Sequence, residues 1–284
     1  MIRALRLWLL GADPEGPALR DDPLYRWEVR RHWTPRRYAA WVVLALACWA
    51  LAAVFVLGTR WRGPGEIVGA GLLIAFLGRF PLEFLAVLGG ALAIVPERSS
   101  GEFEQLVLTP LDPWRFCLAR YVARMKGVAV LWLLAGLILL TVWLPVVLAA
   151  SAGSYGRVSI DGHWPWTVIA PSILAAMYVD WGLVLLIDGA SGLRFSAAAN
   201  SAASAVSRAM LRSFLTLPLV LAMAAISGQL IGMMLGILLG LEEPYWLWVA
   251  GAAFFRLWLG LVILRDDLAR ARRGTERLFL EPED

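Results

Sequence analysis

The stretch YAAWVVLALACWALAAVFVL, from Tyr38 to Leu57, contains twenty residues and no charged side chain. A helix of this length is about 30 Å long, which matches the hydrocarbon thickness of a lipid bilayer. Similar apolar blocks recur along the chain, and 60% of its 284 residues are hydrophobic. Soluble domains are nearer half apolar. The pattern therefore predicts an all-α, polytopic membrane protein.

Six such blocks predict six membrane-spanning helices, which form one transmembrane domain over residues 38–264. The predicted spans are 38–57, 67–95, 127–150, 165–187, 213–241 and 245–264. Residues 1–37 are expected to form an amphipathic segment on the cytosolic side, and residues 265–284 a basic cytosolic tail. The connections between the spans are short, so no external domain is expected.

The distribution of positive charge predicts the orientation of these spans. Of the 26 Lys and Arg residues, 21 lie in the two terminal segments and in the loops after the second and fourth spans. The opposite side has only Arg60, Arg62 and Arg157. Because positively charged loops remain in the cytoplasm, both termini are predicted to be cytoplasmic, in a bacterial inner membrane. Arginines that meet lipid headgroups explain the basic composition, so no nucleic-acid partner is expected.

The cytosolic loop after the second span reads PERSSGEFEQLVLTPLDPWRFCLARYVARMKG, from Pro96 to Gly127. Phe103, Leu106 and Val107 follow the i, i+3, i+4 spacing of one helix face, which predicts a short amphipathic helix over about 99–111.

The ends of this short helix are also indicated by the sequence. Thr109 precedes Pro110, and a residue before proline disfavours the helical conformation. Asp112 and Pro113 suit the N-cap and the first position of the next helix. The segment is therefore expected to lie between two membrane helices, where it can contact a partner and transmit its movement.

The same loop resembles the signature of the ABC-2 type transporter permease family, in which a Glu-Arg pair, a Gly, a Glu, a Leu-rich run and Thr-Pro-Leu occur in this order. The matching residues are Glu97, Arg98, Gly101, Glu104, Leu106, Leu108, Thr109, Pro110 and Leu111. The chain departs from the family at Ser99, where an acidic residue is usual, and at Glu102, where Thr is usual. Residues 21–37 resemble the family's N-terminal connecting helix, and residues 192–206 its small-residue segment.

The resemblance implies that this chain is the membrane subunit of an ATP-driven exporter. It assigns contact with a separate ATPase to Glu97, Arg98, Gly101, Phe103, Glu104, Leu106, Val107, Thr109 and Pro110. The chain lacks the phosphate-binding motif G-x-x-x-x-G-K-[ST], so ATP and Mg are expected in the partner, with no cofactor, metal or catalytic residue here. Six spans imply a second copy or a paralogue as partner. The apolar spans favour a lipid, a drug or another amphiphile as cargo.

Two alternatives remain open, a membrane scaffold and a membrane enzyme, neither of them coupled to an ATPase. The sequence disfavours an enzyme because its few His and Cys residues are far apart and show no catalytic or metal-ligand spacing. The GASG stretch at 189–192 resembles the nucleophile loop of rhomboid proteases. Both histidines, His32 and His163, lie outside the predicted spans, so the base that such a protease needs is missing.

Charged residues within the predicted spans are a second candidate site. Arg79 and Glu83 lie four residues apart in the second span, Asp180 lies in the fourth and Arg256 in the sixth. A charge in this environment costs about 2.5–3.5 kcal/mol on insertion scales, so pairing is expected. The residues either line the substrate path or form a structural ion-pair network.

Two further rows of residues follow a spacing of four. Gly228, Gly232, Gly236 and Gly240 repeat the G-x-x-x-G pattern, which allows close helix packing either between two permeases or within one. Polar residues in the second row predict a cytosolic helix extension that faces water or the ATPase. This polar row consists of Ser196, Asn200, Ser204, Arg208 and Arg212.

Overall fold

The computed structural model describes residues 23–32, 81–100, 112–138, 159–160, 164–239 and 245–280, together with separate positions between 34 and 54. In these ranges the chain is helical apart from one pair of two-residue strands, which confirms the all-α prediction. The chain forms two compact units. The first contains residues 1–29, 84–125 and 183–284, and the second contains residues 30–83 and 126–182.

In chain order, the helices of the described ranges are α1 (Pro23–His32), α2 (residues 81–91), α3 (Val95–Ser100), α4 (Pro113–Ile138), α5 (Trp166–Ala198), α6 (Ala202–Leu239) and α7 (Tyr245–Leu280). The strands β1 (Ser159–Ile160) and β2 (Trp164–Pro165) pair antiparallel, with Ile160 opposite Trp164. Within the described ranges, no helix combines the length and the hydropathy that a membrane crossing requires. Most of the predicted first span and residues 139–150 of the third lie outside those ranges.

Helix α4 begins where the sequence predicted. The Trp114 amide donates a hydrogen bond of 3.1 Å to Oδ1 of Asp112, and the Phe116 amide donates one of 3.0 Å to the Asp112 carbonyl oxygen. Asp112 is thus the N-cap and Pro113 the first helical residue. Both features depend on local sequence alone, which is why the prediction succeeds.

The helices of the first unit are longer than the predicted spans. The connection between the predicted fourth and fifth spans, residues 188–212, is helical except for residues 199–201, which form a tight turn between α5 and α6. The helix extension predicted for the polar row is thus present, but it is divided between two helices. Helix α7 packs along α6 and has no break at residue 264, where the predicted tail began. Ion pairs one turn apart, Asp266–Arg270 at 2.8 Å and Arg272–Glu276 at 2.7 Å, support this extension.

Helices α2 and α5 approach each other closely at two glycines, Gly90 and Gly192. A Cβ atom on Gly90 would lie 2.7 Å from the Leu193 nitrogen and closer still to the Gly189 carbonyl oxygen. A Cβ atom on Gly192 would lie 2.7 Å from the Ala91 nitrogen. Because these obstacles are backbone atoms, only glycine fits at the crossing. The GASG stretch is thus part of a helix-packing surface.

In the second unit, Trp132 on α4 and Tyr178 on α5 form an aromatic clasp. Their rings stack with centroids 4.4 Å apart and planes 4° from parallel. Trp132 Nε1 donates a hydrogen bond of 3.3 Å to the Tyr178 carbonyl oxygen, and the Tyr178 hydroxyl donates one of 2.9 Å to the Trp132 carbonyl oxygen. Gly136 and Gly182 leave the space that the two rings occupy.

Candidate functional site

The break between α2 and α3, at residues 92–94, is held by a side chain from α5. The Ser196 hydroxyl accepts hydrogen bonds from the amides of Ile94, at 3.0 Å, and Val95, at 3.3 Å. Ser196 is fully buried, and the same region packs small side chains between the break and the α5–α6 turn. The start of α3 is therefore capped by a neighbouring helix, because its own sequence has no polar residue to cap it.

The same break is held from a second direction by Arg120 on α4. Its guanidinium donates a hydrogen bond of 3.1 Å to the Ala93 carbonyl oxygen and forms an ion pair of 2.7 Å with Glu28 on α1. It also lies 4.4 Å from the centre of the Phe116 ring. Glu28 and Arg120 are both buried, so this pair is shielded from solvent.

The predicted ATPase-coupling residues fall into two groups. Glu97 and Arg98 lie on α3, and the Arg98 guanidinium donates a hydrogen bond of 3.4 Å to the Ala199 carbonyl oxygen in the α5–α6 turn. The remaining residues lie outside the described part of the chain. These are Gly101, Phe103, Glu104, Leu106, Val107, Thr109 and Pro110. The structure therefore describes the residues on either side of 101–111, which are α3 and Asp112.

A buried charged cluster, which the sequence did not predict, joins α5, α6 and α7. Asp267 on α7 is fully buried and binds Arg194 on α5, at 3.1 Å, and Arg212 on α6. Burial raises the pKa of the Asp267 carboxyl, while both arginines oppose the shift. Asp267 lies in the predicted tail, where acidic residues interspersed with arginines are typical of a solvated helix, so the sequence offered no signal.

Tyr121 on α4 and Asp188 on α5 are also buried in the first unit. The Tyr121 hydroxyl donates a hydrogen bond of 3.0 Å to the Leu186 carbonyl oxygen. Burial raises the pKa of this phenol, and the nearby Asp188 and Asp267 carboxylates raise it further. The Ser213 hydroxyl on α6 donates a hydrogen bond to Asp188. These bonds tie the helices together.

The predicted polar row is not one continuous surface. Residues 199–201 form a turn, so Ser196 and Ser204 belong to different helices. Ser196 is buried and holds the break, and Arg212 binds Asp267, whereas Arg208 is exposed. The prediction that the row faces water or an ATPase is therefore wrong for Ser196. The spacing of four was interrupted by a turn that small residues at 197–203 accommodate.

The charged residues of the predicted spans are distributed over both units. Glu83 and Asp180 belong to the second unit and are half-buried, whereas Arg256 belongs to the first and is buried. Arg79 lies outside the described residues. Both the substrate-path and the ion-pair hypotheses stay predictions.

One side of α6 presents a regular row of exposed apolar side chains. Its members recur every three or four residues and include Leu211, Leu215, Leu219, Met223, Ile226, Leu230, Met234 and Leu238. Gly228, Gly232 and Gly236 lie on α6 two positions after Ile226, Leu230 and Met234, whereas Gly240 lies outside the described residues. Two positions correspond to about 200° around a helix, so the glycine row is nearly opposite the exposed row. Both packing hypotheses for the glycines stay predictions.

Comparison of the chain with protein-family models and with curated proteins finds no match. Among the described residues, no group of three or more His, Cys, Asp and Glu side chains is placed to hold a metal ion. The geometry of the candidate site is that of a break at residues 92–94 held by Ser196 and Arg120, beside an N-capped helix that begins at Pro113.

Replacing Ser196 with alanine is expected to lower the free energy of unfolding by about 1–3 kcal/mol, because two buried amides lose their acceptor. The control is Ser207→Ala, since the Ser207 hydroxyl is exposed and bonds only to the Ser204 carbonyl one turn earlier. That change is expected to stay within about 0.5 kcal/mol. Chemical denaturation of both full-length variants measures the difference, and equal values would exclude a structural role for the Ser196 hydroxyl.

Proposed function

We propose that this chain is the permease subunit of an ATP-driven exporter, and that residues 101–111 engage a separate ATPase subunit. The resemblance of residues 97–111 to the ABC-2 type signature supports this function. Under the proposal, the chain crosses a bacterial inner membrane six times, with both termini in the cytoplasm. It pairs there with a second copy of itself or with a paralogue. Lipids, drugs and other amphiphiles are the cargo class that the apolar spans favour.

The observation that carries the proposal is that the described residues on both sides of 101–111 are held in place by buried contacts. On one side, Ser196 and Arg120 hold the break that precedes α3. On the other side, the Asp112 cap begins a helix whose next turns carry Phe116 and Arg120 into the core. Under the proposal, an ATPase that engages residues 101–111 therefore acts on helices that are held in the core on both sides of that segment.

Two further observations support a membrane location within this proposal. The 21 to 3 division of basic residues between alternate connections is the charge asymmetry of a multi-span protein. The exposed apolar row on α6 is far longer than the isolated apolar residues of a typical soluble surface. Lipid or a second permease covers this row under the proposal.

The proposal is tested by replacing Leu106 with arginine in the full-length protein. Leu106 lies on the predicted apolar face of residues 99–111, and a charge there is expected to abolish the apolar contact with the ATPase. The tagged protein is purified with its bound partners from the cells that make it, and ATPase activity in the eluate is measured. We expect at least a tenfold loss of bound ATPase activity, as removal of a central apolar contact produces.

Leu280→Arg is the matched control, because Leu280 is 80% exposed at the end of α7. This variant is expected to retain the partner fully. If the unaltered chain retains no ATPase, or if both variants retain it equally, the coupling function is excluded. A scaffold or an enzyme would then be the better interpretation.

A further inference from the structure

Arg120 connects the break at residues 92–94 to the N-terminal helix. Its guanidinium holds the Ala93 carbonyl oxygen at 3.1 Å and the Glu28 carboxylate at 2.7 Å. A guanidinium is charged at every physiological pH and has several donors in a fixed planar arrangement. One side chain therefore sets the position of the break relative to α1.

Glu28 has the opposite environment from its neighbours on α1. Arg26, Trp27, Arg30 and Arg31 are exposed, whereas Glu28 is fully buried. A carboxylate is buried in this way only when an ionic partner offsets its loss of hydration, and Arg120 supplies that partner. The ion pair therefore joins α1 to α4, and through the Arg120 bond to Ala93 it joins α1 to the break.

The stability of the first unit does not by itself require an ion pair at this position. Apolar residues of similar volume often replace a buried ion pair without loss of stability. What an apolar pair cannot reproduce is the directional hydrogen bond to the Ala93 carbonyl oxygen. The charges are therefore expected to determine the geometry of the break more than the stability of the fold.

We propose that Glu28 and Arg120 are positioning residues that set the direction in which α3 leaves the break, so that α1 takes part in orienting α3. The importance of this orientation for export rests on the proposed function. The positioning itself is a property of the chain alone. It assigns the N-terminal helix a conformational role that its exposed arginines do not indicate.

The test compares amide hydrogen exchange in the full-length protein and in the double variant Glu28→Leu, Arg120→Met. This variant removes both charges together. Peptides that cover residues 92–98 are expected to exchange about tenfold faster, because the break opens locally more often, while the melting temperature falls by only a few degrees. The control is Arg272→Met, Glu276→Leu, which removes an exposed ion pair of the same 2.7 Å length on α7. It is expected to leave exchange at 92–98 unchanged.

Glu28→Gln provides a second variant that keeps the side-chain volume, and it should accelerate exchange at 92–98 in the same direction. Unchanged exchange at these residues in both variants would overturn the proposal, as would equal acceleration in the control. Failure of the proposed function appears differently, as the absence of a bound ATPase from the unaltered chain. Faster exchange in the variants would still establish the positioning role in that case.

Discussion

Replacing Gly90 with alanine is expected to lower the free energy of unfolding by about 3 kcal/mol or more, at the upper end of overpacking effects. The added methyl group would lie 2.7 Å from the Leu193 nitrogen and closer to the Gly189 carbonyl oxygen. A side chain in the way could rotate, but these are backbone atoms of α5. The two helices would have to separate along the crossing.

Gly89 supplies the control at the adjacent position of the same helix. A Cβ atom there would meet only the Arg124 Cβ atom at 3.6 Å, an ordinary van der Waals contact. Gly89→Ala is expected to be neutral or to stabilise the protein by up to about 1 kcal/mol, because alanine favours the helix. Chemical denaturation of the two purified variants measures the contrast. Similar stabilities would mean that α2 and α5 do not cross at Gly90.

Replacing Asp267 with alanine is expected to cost about 3 kcal/mol, the lower end of the range for breaking a buried ion pair. The substitution removes the carboxylate that binds Arg194 and Arg212 and leaves two partly buried guanidinium groups without it. Both arginines are about one-fifth exposed, so water replaces part of the lost interaction. The loss should appear as a lower midpoint of chemical denaturation.

Asp266 is the neighbouring carboxylate and serves as the comparison. It pairs with Arg270 at 2.8 Å, but both side chains are more than two-fifths exposed. Exposed pairs contribute about 0.2–1 kcal/mol, so Asp266→Ala is expected to have a small effect. If the two substitutions lower the free energy of unfolding equally, the ion pairs of Asp267 with Arg194 and Arg212 do not stabilise the packing of α5 and α6 against α7.

The sequence predicted those features of the fold that depend on neighbouring residues. The all-α class follows from long apolar blocks, and the start of α4 follows from Asp112 and Pro113. Helix ends were less predictable. The spacing of four in the polar row predicted helix beyond the fourth span but not the turn at 199–201, and residues 265–280 were predicted as a tail although ion pairs keep them helical.

The candidate site was only partly predictable, because its essential contacts are distant in sequence. Ser196 holds amides about one hundred residues away, and Glu28 pairs with Arg120 across α1 and α4. Nothing adjacent to these residues distinguishes them from solvated polar side chains. The resemblance covers residues 97–111, but it does not indicate that Ser196 and Arg120 hold the break before α3.

The aromatic clasp of the second unit limits how α4 and α5 can move past each other. Trp132 and Tyr178 each bond to the other's main chain, so both hydrogen bonds and the ring stack depend on a single axial alignment. A translation of one helix by one turn, about 5.4 Å, would lose all three interactions together. Where these helices meet, gradual sliding is therefore disfavoured, and tilting about the stacked rings is the displacement that costs least.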